Sequence, residues 1–457
     1  MKMTLAEIAT AVGATNDVTK WADTVVTSVA FDTRELESGA LFVPLAGMRD
    51  GHEFLGQART NGAVAAFWKR DRSDTPTDFP VLVVDDPLVA LQDLSRHYLR
   101  KINPKVVAVT GSNGKTTTKD MVAAILASRF NVTKTKDNFN NEIGVPITIL
   151  AMESNTEMLV VEMGMDRPGQ LTFLSQLTAP DIAVITMIGE AHIEFFGTRD
   201  KIADAKMEIT QSLKADGTFI YDGDEPLLTA RAQTVDQQQV TFGQQADNDL
   251  YAHEVQSTKT TTSFKTNLWG DLTFKLPMPG DYNVNNALAA LAVGHVLAIA
   301  PEAAATALWN MDLTKNRTEW VTGSAGEQIL SDVYNSNPTA VKEVMKAFST
   351  ATTTGQRAVV LGDMLELGVA ADSLHAELAD CFDPALVSRV YLVGEHMKAL
   401  YDALEVKYDS TNLFHYAQDE QSALIAQLKQ DIKSGDLLLI KGSHGIHLEN
   451  VLTALTA

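Results

Sequence analysis

The chain has 457 residues, 45% hydrophobic and 21% charged, the balance of an ordinary globular protein with room for about three domains. Its 37 Lys+Arg against 58 Asp+Glu leave a formal charge of −21, which argues against a nucleic-acid scaffold, because such a scaffold needs a basic face. Small anionic substrates stay open, since a few basic side chains can line a pocket inside an acidic protein.

Cys381 is the single cysteine, so no internal disulfide can form and a reducing, cytoplasmic setting is expected. A buried small apolar side chain is its expected role, as no His or Lys motif surrounds it. The first seven residues, Met-Lys-Met-Thr-Leu-Ala-Glu, carry no apolar h-region, so no signal peptide is expected. The most apolar stretch, 287–300, is too short to span a bilayer and reads as a buried helix stopped at Pro301.

In chain order, residues 1–102 alternate short β-like runs at 40–45 and 81–84 with turns, flanked by amphipathic segments at 4–12 and 87–100. This predicts a small α/β domain, with Asn103-Pro104 as linker. Residues 103–314 repeat strand, polar tip, helix: strands at 106–109, 159–161 and 182–185, and a helix at 116–130. Near-continuous apolar strands alternating with helices predict a parallel, doubly wound sheet. A third α/β unit, 315–457, follows, with strands at 358–361, 390–393 and 437–440. The Thr-rich pieces at 257–263 and 349–354 read as loops or strand edges.

The strongest chemical signal is Gly111-Ser112-Asn113-Gly114-Lys115-Thr116-Thr117, between an expected strand and an expected helix. Glycines let the backbone curl so that N–H groups face phosphate oxygens, and the helix N-terminus adds a favourable dipole. Lys115 can reach the β- and γ-phosphates and the Thr116 hydroxyl suits Mg²⁺. The spacing is short: Gly111 and Gly114 enclose two residues rather than the usual four, and Val109 stands where the longer pattern has glycine. Glu162, at the end of the 159–161 strand, can hold Mg²⁺ as a hard oxygen ligand, and His192 sits at another strand tip in Gly189-Glu190-Ala191-His192. Ligands of an open parallel sheet lie beyond the carboxyl ends of its strands, so the loop, Glu162 and His192 are expected along one crevice. Lys206, in Asp204-Ala205-Lys206-Met207-Glu208, reads by itself as a solvated helix lysine. Asp332-Val333-Tyr334-Asn335-Ser336-Asn337-Pro338 offers Asp332 for ribose hydroxyls and Asn335 for an adenine edge, although an Asx turn before a helix near Pro338 explains the composition as well.

The short loop resembles that of the Mur ligases, the ATP-dependent amide ligases of peptidoglycan precursor synthesis, and the resemblance runs over nearly the whole chain. It is carried also by Thr116-Thr117-Thr118-Lys119-Asp120, Asn140-Asn141-Glu142-Ile143-Gly144-Val145-Pro146, Glu162-Met163-Gly164-Met165-Asp166-Arg167-Pro168-Gly169, Gly189-Glu190-Ala191-His192 and Leu361-Gly362-Asp363-Met364-Leu365-Glu366-Leu367-Gly368. These motifs fit the branch of the family that joins D-alanyl-D-alanine to a UDP-N-acetylmuramoyl-tripeptide.

The resemblance implies a UDP-substrate domain, a central P-loop ATPase domain and a Rossmann-like C-terminal domain. ATP and two Mg²⁺ ions are the implied cofactors. Lys115, Lys206, His192 and Arg317 are implied in catalysis, and Thr116, Glu162, His192 and Lys206 in metal binding, with Lys206 carbamylated by CO₂. Asn283 and Asn286 match the adenine-side motif, and Arg317 and Asp332 the hinge and ribose contacts. Ser28, Asp32, Thr33 and Arg34, with Gly51-His52, match the uridine-diphosphate end, and Asn140 falls with the substrate residues. A cytoplasmic monomer serving cell-wall biogenesis, cell shape and division is implied. Tyr282 and His444 depart from the family, where His and Arg are common; the second departure bears on the contact to the incoming dipeptide. Folylpolyglutamate synthase shares the ATPase architecture, but the roughly 100 residues before the loop favour the Mur reading. An NTP-driven switch is the third alternative and would hydrolyse nucleotide regardless of muropeptide.

Overall fold

The structure, a computed structural model, describes residues 1–312 and 319–457; Arg317 and the expected boundary near 315 lie outside the described residues. The chain forms two compact units from interleaved stretches: Met1–Thr110, Leu126–Val184 and Glu208–Phe219 in the first, Gly111–Ile125, Ile185–Met207 and Ile220–Ala457 in the second.

In the first unit, Ser28–Ala30, Ala40–Phe42, Ala63–Lys69 and Val81–Val84 make a four-stranded parallel sheet in that order. Its core gathers Phe42, Ala66, Trp68 and Val81. The helix Pro87–Ile102 starts where Asp86 accepts the N–H groups of Leu88 and Val89 and Pro87 fills the first turn. It ends at Asn103 in the left-handed conformation (φ 53°), so the expected linker is a helix cap leading straight into the strand Lys105–Thr110. That strand pairs in parallel with Met158–Glu162, Val109 opposite Glu162. Both strands are apolar almost throughout, as strands covered on both faces must be.

The second unit departs from the all-parallel expectation. Leu250–Ser257, Thr262–Thr266 and Phe274–Leu276 form an antiparallel meander. Buried and less buried side chains alternate along Thr262–Thr266 and Phe274–Leu276, the pattern of a sheet with one wetter face. The 287–300 expectation also needs correction. The buried helix runs Tyr282–Val296, Ala298 turns left-handed (φ 54°), and Pro301 opens a second helix, Pro301–Trp309, in whose first turn proline's missing N–H costs nothing.

Further along, six strands order as Glu319–Thr322, Gln328–Asp332, Leu437–Lys441, Arg357–Gly362, Arg389–Val393 and Leu413–Tyr416, parallel except for the first. The three strands expected from sequence are adjacent in this sheet. Helices cover both faces, with Val341, Met345, Phe348, Leu392 and Leu400 in one core and Tyr391, Leu424, Leu428 and Val451 in the other. Cys381 is half-buried against the first core, and burial pushes its thiol pKa up, as fits an unreactive apolar role. Among the described residues no helix is long and apolar enough to cross a membrane.

Asp222 ends the strand Thr218–Asp222 in a buried position where desolvation pushes its carboxyl up to about 7. Native Asp222 therefore keeps its proton in a window, from about pH 4 to about pH 7, where the unfolded chain has released it. The folded state binds the extra proton, so this group's contribution to stability falls as pH rises through that window. Asp222→Asn should remove the dependence: its stability relative to wild type, from urea melts at a series of pH values, should rise by up to about 4 kcal/mol between pH 4 and 8. A flat difference would contradict the assignment.

Candidate functional site

The phosphate-type loop is shaped by two close approaches. Gly111 adopts φ 154° and Gly114 φ 78°; a Cβ on the first would stand 1.8 Å from Thr186 Oγ1, and on the second 2.1 Å from Asn286 Oδ1. No side chain fits at either place, which accounts for both glycines. Thr186 Oγ1 donates to the Asn113 carbonyl at 2.5 Å, Ser112 N–H to Met187 O at 3.0 Å, and Ser112 Oγ to Gly189 O at 3.3 Å. The helix Lys115–Ala127 starts directly from the loop, so the positive end of its dipole lies at the loop, which favours an anion there. Lys115 Nζ lies over the loop, donating to Gly111 O at 3.0 Å, while Thr116 is buried and Thr117 half-buried behind it.

From the helix Tyr282–Val296, Asn286 faces this loop with Asn283 behind it. Asn283 Nδ2 donates to Pro279 O at 2.8 Å, Asn286 Nδ2 to Asn283 Oδ1 at 3.1 Å, and Thr118 Oγ1 to Asn286 Oδ1 at 3.3 Å. The pair thus braces the loop and the first turn of its helix.

Lys206 corrects the solvated-lysine expectation: it is 2% exposed. The helix Arg199–Met207 buries Ile202, Ala203 and Lys206 on one face and exposes Asp200, Lys201 and Asp204 on the other. Spacings of three and four residues from Ala203 and Ile202 carried this signal in the sequence, hidden by the helix's abundance of charge. Burial, and then the charge of Lys115, push the Lys206 pKa well below its ordinary value. A buried neutral amine is the state that can add to CO₂.

His192 is left-handed (φ 65°), and its Nδ1 meets Glu366 Oε2 at 2.5 Å. Glu366 is left-handed too (φ 62°), and its carbonyl accepts Glu194 N–H at 3.0 Å. His192 holds the Glu366 carboxyl below its ordinary pKa. Nearby, Thr339 Oγ1 donates to Glu190 Oε2 at 2.7 Å. Asp332 is engaged by Lys441, which is 1% exposed and donates to Asp332 Oδ2 at 2.6 Å and Asn335 O at 2.8 Å. Asn335 Oδ1 accepts the N–H of Ser336 at 2.9 Å. The expected helix starts at Pro338, capped by Asn337. His444 stacks on Tyr334 with ring centroids 6.1 Å apart. Glu366, Asn337, Thr339 and Lys441 were not singled out from sequence as site residues. Only the motif context of Glu366 and the hydrogen-bonding density around 332–338 pointed there.

In the first unit, Asn140 Nδ2 donates to Glu162 Oε1 at 2.8 Å and Thr135 Oγ1 accepts the Glu162 N–H at 3.0 Å. Glu162 Oε2 is buried without a hydrogen-bond partner. Such an oxygen suits a hard cation. Ser28 opens the strand Ser28–Ala30, its Oγ also buried and unpartnered. Asp32 caps the turn Thr33–Glu35 and pairs with the exposed guanidinium of Arg34 at 2.5 Å. His52 is buried: its Nδ1 contacts Asp50 Oδ1 at 2.7 Å, its Nε2 accepts Lys69 N–H at 3.2 Å, and Trp68 packs edge-on against its ring.

A phosphate loop on a helix N-terminus, a buried lysine whose pKa is pushed down and Rossmann-like strands define a nucleotide-consuming enzyme, and the comparisons narrow the class. Residues 109–294 match the Mur ligase middle domain and residues 316–444 the Mur ligase glutamate ligase domain. The chain belongs to the Mur ligase family, ATP-dependent enzymes that form a peptide bond. It is 41% identical to UDP-N-acetylmuramoyl-tripeptide--D-alanyl-D-alanine ligase of Bacillus subtilis (strain 168), over 100% of this chain and 98% of that one. Its fold superposes on MurF from Acinetobacter baumannii with a TM-score of 0.87 at 28% identity, covering 100% of this chain and 99% of the other. MurF ligase from Thermotoga maritima in complex with ADP gives a TM-score of 0.81 at 28% identity, over 94% and 97% of the two chains. The architecture is accordingly the α/β, three-domain Mur ligase fold.

Lys441→Met would leave the Asp332 carboxylate desolvated and unpaired. It should cost about 3 kcal/mol in urea-melt stability, whereas the double variant with Asp332→Leu should recover part of that loss. A single variant as stable as wild type would show the pair to be energetically idle.

Proposed function

We propose that this chain is the ligase that adds D-alanyl-D-alanine to UDP-N-acetylmuramoyl-tripeptide, using ATP, in peptidoglycan precursor synthesis. The observation that carries the chemistry is the 111–117 loop, curled through Gly111 and Gly114 with Lys115 above it. A carboxylate does not acylate amines unaided. Its oxygen attacks the γ-phosphorus of ATP, ADP leaves, and an acyl phosphate results. The amine of the dipeptide then attacks the acyl carbon, loses a proton and expels inorganic phosphate. Lys115 supplies positive charge to the moving phosphoryl group, and the N–H groups of the first helical turn hold the oxygens in line.

Mg²⁺ would neutralise phosphate charge and orient the oxygens when bound. The donor chemistry fits it: Glu162 presents a buried unpartnered oxygen, Thr116 a hydroxyl and His192 a ring whose Nδ1 is occupied by Glu366. Lys206, as a carbamate, would add a carboxylate on a long stem. Asn283, Asn286, Asp332 and Asn335 are assigned to the nucleoside end, and Ser28, Asp32, Thr33, Arg34 and Asn140 to the UDP-substrate. The assignment extends to domains 1–102, 103–314 and 315–457 for UDP-substrate, ATP and the C-terminal ligase part, in a cytoplasmic monomer serving cell shape and division.

Phosphate release should require both the UDP-tripeptide and D-alanyl-D-alanine. Rapid release indifferent to either would refute the ligase reading. Lys115→Ala should lower turnover by ~10³-fold without moving the thermal midpoint, and wild-type-like turnover would sink its role.

Lys206 has a spectroscopic test. With ¹³C-bicarbonate, wild type should show a carbamate carbon signal that Lys206→Ala lacks, together with loss of activity that added formate partly restores. An active Lys206→Ala protein, or no carbamate signal in wild type, would remove the carbamate.

A further inference from the structure

Asn337 is 2% exposed, and its amide is oriented by the helix it begins. Its Oδ1 accepts the N–H of Ala340 at 3.0 Å, which caps Pro338–Thr350. With the oxygen committed to the cap, the amide nitrogen must face away from the helix. There it donates to Asn113 Oδ1 at 2.7 Å, and Asn113 Nδ2 donates back to Asn337 Oδ1 at 3.1 Å. Residues 224 positions apart thus form a reciprocal amide pair.

Asn113 is held from a second side, since its carbonyl accepts Thr186 Oγ1 at 2.5 Å. In a planar trans peptide the next N–H points opposite to that carbonyl. Fixing Asn113 therefore also fixes the direction of the Gly114 N–H, at a residue whose φ of 78° only glycine adopts readily.

We propose that Asn337 is a positioning residue for nucleotide binding: through its amide pair with Asn113 it holds the phosphate loop in the conformation whose N–H groups face the phosphates. The inference rests on the reading of 111–117 as the ATP site. Without the pair, binding must itself order the loop, and nucleotide affinity drops by the fraction of time the loop is competent. Turnover at saturating ATP changes much less, because Asn337 touches no reacting atom.

Asn337→Ser separates this role from the helix cap, since serine caps about as well as asparagine but is too short to reach Asn113. The full-length variant should keep its thermal midpoint. Its KM for ATP, and its Kd for ADP by calorimetry, should rise about tenfold, the loss of one net hydrogen-bonded pair, with kcat within about twofold of wild type. Asn113→Ala should produce the same rise, and the double variant no more than either single one, because the two side chains act as a unit. Unchanged nucleotide affinity in Asn337→Ser, a fall in kcat at constant KM, or effects that multiply in the double variant would overturn the proposal. If Asn337→Ser does not fold, Asn113→Ala decides, as it leaves the cap intact: unchanged ADP affinity there overturns the proposal equally. Wild-type protein that binds no ADP would instead refute the nucleotide reading.

Discussion

Everything at this site depends on how closely other groups approach the backbone at Gly111 and Gly114. An anion is bound by main-chain N–H groups only if the chain curls tightly, and here the curl is packed against Thr186 and Asn286 with no room for a Cβ. The neighbours that forbid a side chain are the ones that hydrogen-bond to the loop and its helix: Thr186 through the Asn113 carbonyl, Asn286 through the Thr118 hydroxyl. Steric exclusion and part of the orientation therefore come from the same two side chains. The loop is preorganised, so little of the nucleotide's binding energy is spent on ordering it.

Electrostatics form the second layer. Lys115 and Lys206 are close enough for the charge of one to disfavour charge on the other, and the buried member yields its proton more readily because desolvation acts in the same direction. Asp332 and Lys441 resolve burial the opposite way, by pairing, with the Asn335 carbonyl taking a further donor bond of the ammonium. Lys206 and Lys441 are thus buried in different settings, the second with a carboxylate beside it.

Bonds between residues remote in sequence complete the site. His192 with Glu366, Glu190 with Thr339 and Asn113 with Asn337 each join a strand tip or loop before residue 200 to the chain beyond 330. Two of these residues, His192 and Glu366, sit in left-handed backbone that non-glycine residues seldom adopt, so surrounding contacts have to sustain them.

The sequence by itself was enough for the nucleotide loop, the parallel strands and the family. Glycine spacing, a following Lys-Thr pair and apolar runs of strand length are local properties, set by backbone sterics and burial within a few residues. The helix face of Lys206 was also written there, in its three- and four-residue spacing from Ala203 and Ile202, although charge on the opposite face concealed it. What only the tertiary structure decided was pairing. The antiparallel meander at 250–276, Lys441 as the partner of Asp332, and Asn337 as the partner of Asn113 depend on which chain segments meet. A side chain's donors and acceptors are known from its type, but whether burial leaves them paired or open to a ligand is set by neighbours as far as hundreds of residues away.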